Sequence, residues 1–298
     1  MFRLSVALFR ARLDRSRSTG EQELLDRIKY AVAGWVKRNP YSWSLIWNAL
    51  PRLTFLLPHD KSYFGFRHLA NRDRGLFLDV GANNGISAAG FRRINKSYDI
   101  LSIEANSHHE GSLKRLQRAD PRFQYRRLGA GSKRGSFTLF TPVYRGIPIH
   151  THASTSKEYL DASLGRDFSP RVVGQITYHE QVVPVVPLDE LELEPSIIKI
   201  DVEGFDYQVL LGLRATIEKH RPHIMIEYTP KQMGDFEPFF ERHGYSLFIY
   251  DEQKDTFTAF QKDRETQAWY TTALQVNLFC VPNERVSILP LDETGSPA

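Results

Sequence analysis

The sequence has little cysteine and no long apolar run, and both absences narrow its class. Cys280 is the only cysteine among 298 residues, and a lone thiol can neither close a disulfide within the chain nor build a cysteine metal site. No apolar run approaches the roughly 18 residues that span a bilayer, and the apolar start MFRLSVALF is too short for the core of a signal peptide. We therefore expect a cytoplasmic protein that is neither secreted nor integral to a membrane.

The net positive charge of the chain is confined to its N-terminal quarter. Residues 1–72 hold 13 Lys or Arg against 5 Asp or Glu, so the totals of 39 and 35 leave 26 against 30 for residues 73–298. The net charge of +4 therefore belongs to the first segment, away from any catalytic domain. Proteins that grip nucleic acid concentrate positive charge at the site of binding. We expect no nucleic-acid partner and interpret the basic segment as solvated.

A dinucleotide fingerprint is also missing. The stretch LFLDVGANNG at residues 76–85 is typical of a buried strand that ends in a tight turn. Its glycines, Gly81 and Gly85, are spaced i and i+4, whereas a turn that binds a pyrophosphate needs G-x-G-x-x-G. Acids near the turn favour a cofactor without phosphates that carries a ribose, an amino group and a positive sulfonium. S-adenosylmethionine fits that description.

The first 72 residues are predicted to form a basic helical extension. Residues 18–40 have apolar positions at helical spacing, start with a capping pattern and end at a proline. The following segment places Trp43 and Trp47 on one helical face. Through residues 1–58 the chain would contact a membrane surface or a second copy of itself, although packing against the main domain is the simpler interpretation.

From residue 76 strands alternate with helices, which predicts an α/β domain with a mainly parallel sheet over residues 73–298. The seven predicted strands lie in LFLDV, DILSIEA, FQYRRLGA, SIIKIDVEG, HIMIEYTP, GYSLFIYD and LQVNLFCVP. A single long helix is predicted through DYQVLLGLRATIEKH, after the fourth strand. Residues 141–183, rich in Ser, Thr, Tyr and His, are predicted to form an insertion of mixed β structure that covers the substrate.

Four acids close the predicted strands. They are Asp79, Glu104, Asp201 and Glu227. Ligands of open parallel sheets lie beyond the carboxyl ends of the strands, so these side chains should line one rim. Glu104 follows the glycine turn by about 20 residues, the distance at which a carboxylate can accept both hydroxyls of a ribose.

Four motifs in sequence resemble the FkbM family of S-adenosylmethionine-dependent methyltransferases. They are DVGANNG at 79–85, SIEAN at 102–106, VVPLDEL at 185–191 and KIDVEGFDYQVLLG at 199–212. The resemblance covers roughly residues 76–250. It implies the class I methyltransferase fold, a Rossmann-like sheet of seven strands with an antiparallel last strand.

The resemblance also implies cofactor-binding roles for residues of the first two motifs. Gly81 and Gly85 would let the backbone approach the methionine part of S-adenosylmethionine, and Asp79 would hold its amino group directly or through water. Asn83 would order the turn, and Glu104 would hold the ribose.

Two departures from the family pattern concern the adenine side of the cofactor. Ala105 stands where the family often has proline, and no acid follows the third strand in LGAGSKRG. Backbone groups near Gly129 and Ala130 are therefore the candidates for binding adenine.

Methyl transfer from a sulfonium is an in-line displacement, so the protein mainly orients the acceptor and removes its proton. Asp201 is the preferred residue for that step, and Lys199 lies on the same side of the strand. A buried ion pair that only organises the rim is an equally good interpretation of these two residues. Glu227 is expected to meet Asp201 and bind acceptor hydroxyls; a metal is less suited, because the acid spacing fits no compact loop motif.

The leading hypothesis is an O-methyltransferase acting on a hydroxyl of a sugar, glycolipid or secondary metabolite. A nicotinamide-dependent sugar oxidoreductase is an alternative, because Tyr250 and Lys254 match Y-x-x-x-K. A third is a scaffold without cofactor that joins partners through the Trp-rich segment. His150 and His152 form an H-x-H pair that is interpreted as solvated, since no third ligand is near in sequence.

Overall fold

The computed structural model describes most of the chain from residue 60 onwards. The described ranges are 60–70, 74–149, 152–202, 204–228, 230–261 and 276–292. The predicted helices within residues 1–58, together with His150 and Glu203, lie outside them. The described residues form two compact units, one of which spans 137–182 without its two masked positions, while the other contains the rest.

The secondary structure alternates between strands and helices. In the described residues the strands are β1 (Leu76–Val80), β2 (Asp99–Ile103), β3 (Phe123–Arg126), β4 (Gly129–Ala130), β5 (Gly135–Tyr144), β6 (Ile147–Pro148), β7 (Ile176–Val186), β8 (Ile197–Ile200), β9 (His223–Tyr228), β10 (Tyr245–Asp251), β11 (Thr256–Ala259) and β12 (Val276–Pro282). The helices are α1 (Phe66–Leu69), α2 (Ile86–Ile94), α3 (Glu110–Ala119), α4 (Lys157–Asp167), α5 (Pro170–Val173), α6 (Asp206–Leu211), α7 (Arg214–His220) and α8 (Pro230–Arg242).

The larger unit is built on one sheet with the order β11-β10-β12-β9-β8-β1-β2-β3. Its central strands are parallel, and β12 runs antiparallel to both of its neighbours. The predicted parallel sheet with an antiparallel last strand is therefore confirmed. The structure adds β11, an eighth strand at the edge that pairs with β10. Its four residues are too few to show a strand period.

Two further predictions are corrected. The predicted third strand divides, because β3 joins the large sheet while β4 pairs with β7. The predicted helix after β8 also divides, into α6 and α7, at Gly212 and Leu213. Gly212 is required there, because a Cβ on it would lie 2.0 Å from the carbonyl oxygen of Gly131.

Apolar side chains cover both faces of the large sheet. Leu78 and Ile198 belong to the core on the face that packs against α6, α7 and α8. On the opposite face the rings of Phe77 and Phe91 stack with centroids 3.9 Å apart, and Phe66 contacts both rings edge-on. Residues 60–70 are therefore part of this core, although the sequence grouped them with the N-terminal extension.

The smaller unit has an apolar core of its own. Its buried residues are Tyr144, Ile149, Leu160, Leu164 and Phe168. His152 is buried as well, with Nε2 2.9 Å from Oδ2 of Asp167, and burial lowers the pKa of this histidine. The interpretation of His152 as solvated is therefore wrong. Substrate covering by residues 141–183 stays a prediction.

None of the helices in the described ranges is both long and apolar enough to cross a membrane.

Candidate active site

The turn after β1 contains residues with positive φ, a backbone conformation that glycine adopts readily and asparagine tolerates. Gly81 and Gly85 have φ of +81° and +86°, and Asn83 between them has φ of +53°. A Cβ on Gly81 would lie 1.9 Å from the carbonyl oxygen of Asp201, and one on Gly85 would lie 2.2 Å from Cδ1 of Leu116. Both glycines are therefore required by the close packing of the turn on the protein itself, whatever they contribute to a ligand.

The carboxylate of Glu104 joins the end of β2 to this turn. Oε2 accepts a hydrogen bond from the backbone N–H of Asn83 at 2.6 Å, and Oε1 accepts one from Asn106 at 2.7 Å. The side chain is buried, and burial raises the pKa of Glu104 even though both N–H groups act in the opposite direction. The site thus holds a desolvated carboxylate directly beside the glycine turn.

Asp79 is directed into the sheet. Oδ2 accepts hydrogen bonds from the hydroxyls of Ser87 at 2.7 Å and Ser102 at 2.9 Å, and Oδ1 lies 3.5 Å from Nζ of Lys199. The residue is fully buried. These contacts give Asp79 a structural role, because its carboxylate links neighbouring strands and α2. A contact between Asp79 and the amino group of the cofactor stays a prediction.

Lys199 lies at the centre of the charged groups. Its Nζ donates to the carbonyl oxygen of Gly81 at 2.8 Å and lies 3.6 Å from Oδ2 of Asp201. The Lys199 side chain is 3% exposed, whereas that of Asp201 is 22% exposed. Asp201 is therefore the member of this group that solvent reaches, while Lys199 holds the groups around it in place.

Asp201 and Glu227 occupy equivalent positions on neighbouring parallel strands. Ile200 pairs with Ile226, so each acid is the next residue along its own chain. Asn277 is the partner of Glu227 across the antiparallel ladder. The register thus places the two acids at the ends of neighbouring strands and adds an amide to the same row; a direct contact between Asp201 and Glu227 stays a prediction.

Asn277 also joins this row to the start of the described chain. Its Nδ2 donates to Oδ2 of Asp60 at 2.9 Å and to the hydroxyl of Ser62 at 2.8 Å. Asp60 in turn accepts from the backbone N–H of Ser62. Sequence reasoning missed this contact, because more than 200 residues separate its partners along the chain.

The predicted adenine-binding residues lie within a ladder. Gly129 and Ala130 are buried and pair with Val185 and Val186. The next N–H, of Gly131, donates to the carbonyl oxygen of Val186 at 3.2 Å. Much of the backbone in this turn is therefore committed to the ladder, and adenine binding by Gly129 and Ala130 stays a prediction.

Phe205 is a residue of the rim that sequence reasoning missed. It follows Gly204, whose φ is +94°, and it is 45% exposed. A Cβ on Gly131 would lie 3.5 Å from Cε1 of its ring. A large apolar ring thus stands beside the turn after β4, close to the end of β8. Its signal in the sequence is an aromatic residue directly after the glycine of KIDVEG.

Asp206 fixes the turn that carries Asp201 and Phe205. Its carboxylate accepts hydrogen bonds from the N–H groups of Val202 and Gly204, each at 3.1 Å. Burial raises the pKa of Asp206, and the charge of Asp201 acts in the same direction. The acid therefore contributes to the shape of the rim.

The motif VVPLDEL has a structural function. Asp189 accepts hydrogen bonds from the N–H groups of Ala215 at 3.0 Å and Thr216 at 2.8 Å, and from the Thr216 hydroxyl at 2.7 Å. Its own N–H donates to the carbonyl oxygen of Gly212. Asp189 thus caps α7 and holds the break between α6 and α7.

The residues that suggested an oxidoreductase form contacts in the hairpin of β10 and β11. The hydroxyl of Tyr250 donates to Oδ1 of Asp255 at 2.5 Å, and burial is the main reason that its pKa rises to about 12. Nζ of Lys254 lies 3.7 Å from Oδ2 of Asp292. These contacts account for both residues without nicotinamide chemistry.

Comparisons with known proteins point to one family. The profile described as the Methyltransferase FkbM domain matches residues 79–247, which is more than half of the chain. No curated protein matches at a significant level.

Among solved structures, methyltransferase FkbM from Methylobacillus flagellatus KT is 18% identical with a TM-score of 0.46, and the match covers 77% of this chain and 50% of that one. The chain thus spans half the length of this relative. Precorrin-6y C5,15-methyltransferase from Geobacter metallireducens GS-15 is 11% identical with a TM-score of 0.38, covering 74% and 85% of the two chains. The plantazolicin methyltransferase BamL is 11% identical with a TM-score of 0.38, covering 84% and 93%.

The profile match includes the glycine turn, Glu104 and the rim residues Asp201 and Glu227. The fold is the predicted class I methyltransferase fold, with its antiparallel last strand in place. This chain belongs to the FkbM family of methyltransferases.

Proposed function

We propose that the chain is an S-adenosylmethionine-dependent O-methyltransferase that acts on a hydroxyl of a sugar, glycolipid or secondary metabolite. The observation that carries the proposal is the Glu104 carboxylate, which is buried beside the glycine turn. Each carboxylate oxygen has lone pairs beyond the one that accepts a backbone N–H. The two adjacent hydroxyls of a ribose are donors suited to these lone pairs, and bonds to a charged acceptor are the stronger ones.

The same turn is poorly suited to a dinucleotide. The N–H groups of Gly81 and Ala82 donate to the carbonyl oxygen of Ile103, and that of Asn83 donates to Glu104. A pyrophosphate needs such N–H groups free, and it would be repelled by the carboxylate. A cofactor with a positive sulfonium is favoured by the same negative charge.

The acceptor side of the proposal rests on Asp201. When bound, S-adenosylmethionine supplies a methyl group on a sulfonium, which is transferred by in-line displacement. Asp201 takes the proton of the acceptor hydroxyl, since it is the partly exposed acid at the end of β8. Lys199 holds its carboxylate in place, and Glu227 on the neighbouring strand orients the hydroxyl.

A hydroxyl-rich acceptor suits the row formed by Asp201, Glu227 and Asn277. The carboxylates of Asp201 and Glu227 on adjoining strands offer acceptors at the spacing of neighbouring strands, about 4.8 Å, while the Asn277 amide ties the row to Asp60 and Ser62. The hydroxyls of a sugar ring match such a row better than an apolar acceptor does. In this proposal, residues 141–183 cover the acceptor.

Isothermal titration with S-adenosylmethionine, S-adenosylhomocysteine and NAD tests the cofactor. We expect binding of the first two ligands and none of NAD. Binding of NAD alone would favour the oxidoreductase, and a folded protein that binds none of the three would favour the scaffold. A screen of hydroxylated sugars and glycolipid precursors with methyl-labelled cofactor then tests the acceptor; label found only on nitrogen or carbon would contradict O-methylation.

A further inference from the structure

The edge of the sheet at β3 carries a dense group of exposed cations. Residues 111–134 contain eight Lys or Arg and one acid, although residues 73–298 as a whole contain more acids than bases. The net negative charge of residues 73–298 therefore hides a local excess of positive charge. We call the exposed cations of this segment the basic edge; they are Lys114, Arg115, Arg118, Arg126, Arg127, Lys133 and Arg134.

Few acids neutralise the basic edge. Lys114 pairs with Glu110 at 3.0 Å, and the one acid of the segment, Asp120, is bound by Arg92 at 2.6 Å. Within the described ranges, five of the cations form no ion pair with any acid: Arg115, Arg118, Arg126, Arg127 and Lys133. Positive charge on this surface is therefore available to an external anion.

The fold places the cations of α3 and β3 beside the edge strand of the larger unit. Leu113 of α3 packs in the core together with Phe123 of β3, so the polar positions of α3 face outwards beside the last strand of the sheet. The carbonyl oxygen of Arg126 accepts a hydrogen bond from the N–H of Glu104 at 3.1 Å. The basic edge thus reaches the rim of the candidate active site.

Protection of the sheet edge explains only part of this charge. Charged side chains on an edge strand prevent pairing with other chains, and Arg126 on β3 fits that function. Arg115 and Arg118 lie on α3, a helix with no open strand edge to protect. Arg118, in the last turn of the helix, complements the helix dipole, but neither effect accounts for the whole group of cations.

Two kinds of polyanion suit a surface of this type, and the exposed side chains favour one of them. Proteins that bind single-stranded nucleic acid combine cations with aromatic side chains on which bases stack. The large apolar residues exposed in the described ranges are Tyr159, Val182, Phe205 and Ile288. Only the ring of Phe205, beside Gly131, lies near this segment, and one ring is too few for the stacking of successive bases. A lipid surface needs no stacking groups, only four to eight Lys or Arg together, as on one face of an amphipathic helix.

We propose that the basic edge docks the protein on an anionic lipid surface, with the cations of α3, β3 and the following turn facing the lipid phosphates. This site is separate from residues 1–58, for which a membrane contact is one of the alternatives given from the sequence. It does not depend on the identity of the acceptor. Docking at this edge would bring the rim at Glu104 close to the plane of the headgroups.

Vesicle sedimentation of the full chain tests this proposal. We compare phosphatidylcholine vesicles with vesicles in which part of the lipid is replaced by phosphatidylglycerol. The wild type should bind only the anionic vesicles, and added salt should weaken binding. The variant R118Q/R126Q/R127Q should bind at least about tenfold more weakly, because each cation near an anionic surface contributes roughly fivefold.

A matched control removes the same charge from exposed positions elsewhere. Arg214, Lys219 and Arg242 are exposed, and the variant R214Q/K219Q/R242Q should bind as the wild type does. R118K/R126K/R127K keeps the charge and should also retain binding. Equal losses in the two glutamine variants would overturn the proposal, because net charge would then explain the effect.

Three other results would also overturn it. They are equal binding of the wild type to neutral vesicles, unchanged vesicle binding by R118Q/R126Q/R127Q, and loss by that variant of affinity for an RNA oligonucleotide but not for vesicles. Melting temperatures of all variants are measured first. If the triple variant is destabilised, Arg118→Gln and Arg127→Gln are tested singly, and each should lower binding in a stable protein.

Discussion

Lys199 donates a hydrogen bond to the carbonyl oxygen of Gly81 at 2.8 Å, across two neighbouring strands. The same ammonium lies 3.5 Å from Asp79 and 3.6 Å from Asp201. One buried cation therefore links the glycine turn to the two acids that close β1 and β8. The sequence predicted an ion pair between Lys199 and Asp201, and the structure adds Asp79 as a third charged group. Lys199 therefore keeps one acidic partner when the other acid is replaced.

The first prediction concerns Asp201→Asn. Lys199 keeps Asp79 and the Gly81 carbonyl as partners, so loss of the Asp201 charge should change the free energy of unfolding by less than about 1 kcal/mol. If Asp201 takes the acceptor proton, turnover should fall by a factor of about 10² to 10⁴ with cofactor affinity unchanged. Urea denaturation and labelled-cofactor turnover measure the two effects. Normal turnover by the stable variant would remove Asp201 from the mechanism and leave Glu227 as the candidate.

Lys199→Met, unlike Asp201→Asn, should destabilise the folded protein. It leaves the fully buried Asp79 carboxylate without its cation and removes the donor to Gly81. Breaking a buried pair in this manner costs about 3 to 5 kcal/mol, which urea denaturation should detect as a lower midpoint. A variant as stable as the wild type would show that the three groups do not depend on one another.

Glu104 should make cofactor binding dependent on pH. Burial raises the pKa of Glu104 above 4.5, so its carboxylate gains a proton at a higher pH than an exposed glutamate does. The protonated form loses acceptor capacity for ribose hydroxyls, and affinity for S-adenosylhomocysteine should fall as the pH is lowered through this raised pKa. The free energy of unfolding of the unbound protein should rise as the pH is lowered through the same range, because the folded state holds this proton more tightly than the unfolded state does.

Glu104→Gln is the variant that tests this assignment. It should weaken binding about tenfold at neutral pH, equivalent to about 1.4 kcal/mol, and it should remove the acid-dependent part of the affinity. Isothermal titration across the acidic range compares it with the wild type. An unchanged dissociation constant at neutral pH would refute the ribose assignment.

Asp189→Ala tests whether the VVPLDEL motif stabilises the fold through the cap on α7. Loss of the cap on α7 should lower the free energy of unfolding by about 1 to 2 kcal/mol, with no change in affinity for S-adenosylhomocysteine. Glu190→Ala, which removes a partly exposed neighbouring acid, is the matched control and should change stability little. A folded Asp189→Ala protein with impaired cofactor binding would mean that the motif contributes to the site itself.

Much of the fold could be predicted because its central strands are short, nearly continuous apolar runs followed by acids. LFLDV and SIIKID are buried on both faces, so each reads as a continuous run. Two elements were missed: β4 has only two residues, and β11, with the sequence TFTA, contains a single large apolar residue. The break between α6 and α7 depends on contact of Gly212 with Gly131, which is distant in sequence.

Sequence reasoning identified the acids and the lysine of the rim but not their arrangement. Alternation along a strand puts Lys199 and Asp201 on one side, but only the register reveals that Asp79 faces the same ammonium. His152 was interpreted as solvated because its neighbours in sequence are polar. Its partner Asp167 lies 15 residues away, and local composition carries no signal for such a contact.

The exposure of Phe205 leads to the last prediction. A side chain that is 45% exposed contributes little to the core, so Phe205→Ala should leave the free energy of unfolding nearly unchanged. If its ring stacks on the adenine beside Gly131, the substitution should weaken S-adenosylhomocysteine binding by about 1 to 3 kcal/mol, the range measured for stacking of a base on an aromatic residue. Phe205→Tyr keeps the ring and should bind normally, and Ile288→Ala, at another exposed apolar residue, serves as the control.

Titration with adenosine alone separates the base from the amino-acid part of the cofactor: the loss in Phe205→Ala should be as large for adenosine as for S-adenosylhomocysteine. Equal affinities for wild type and Phe205→Ala would exclude the ring from the adenine site and direct attention to its contact with the acceptor.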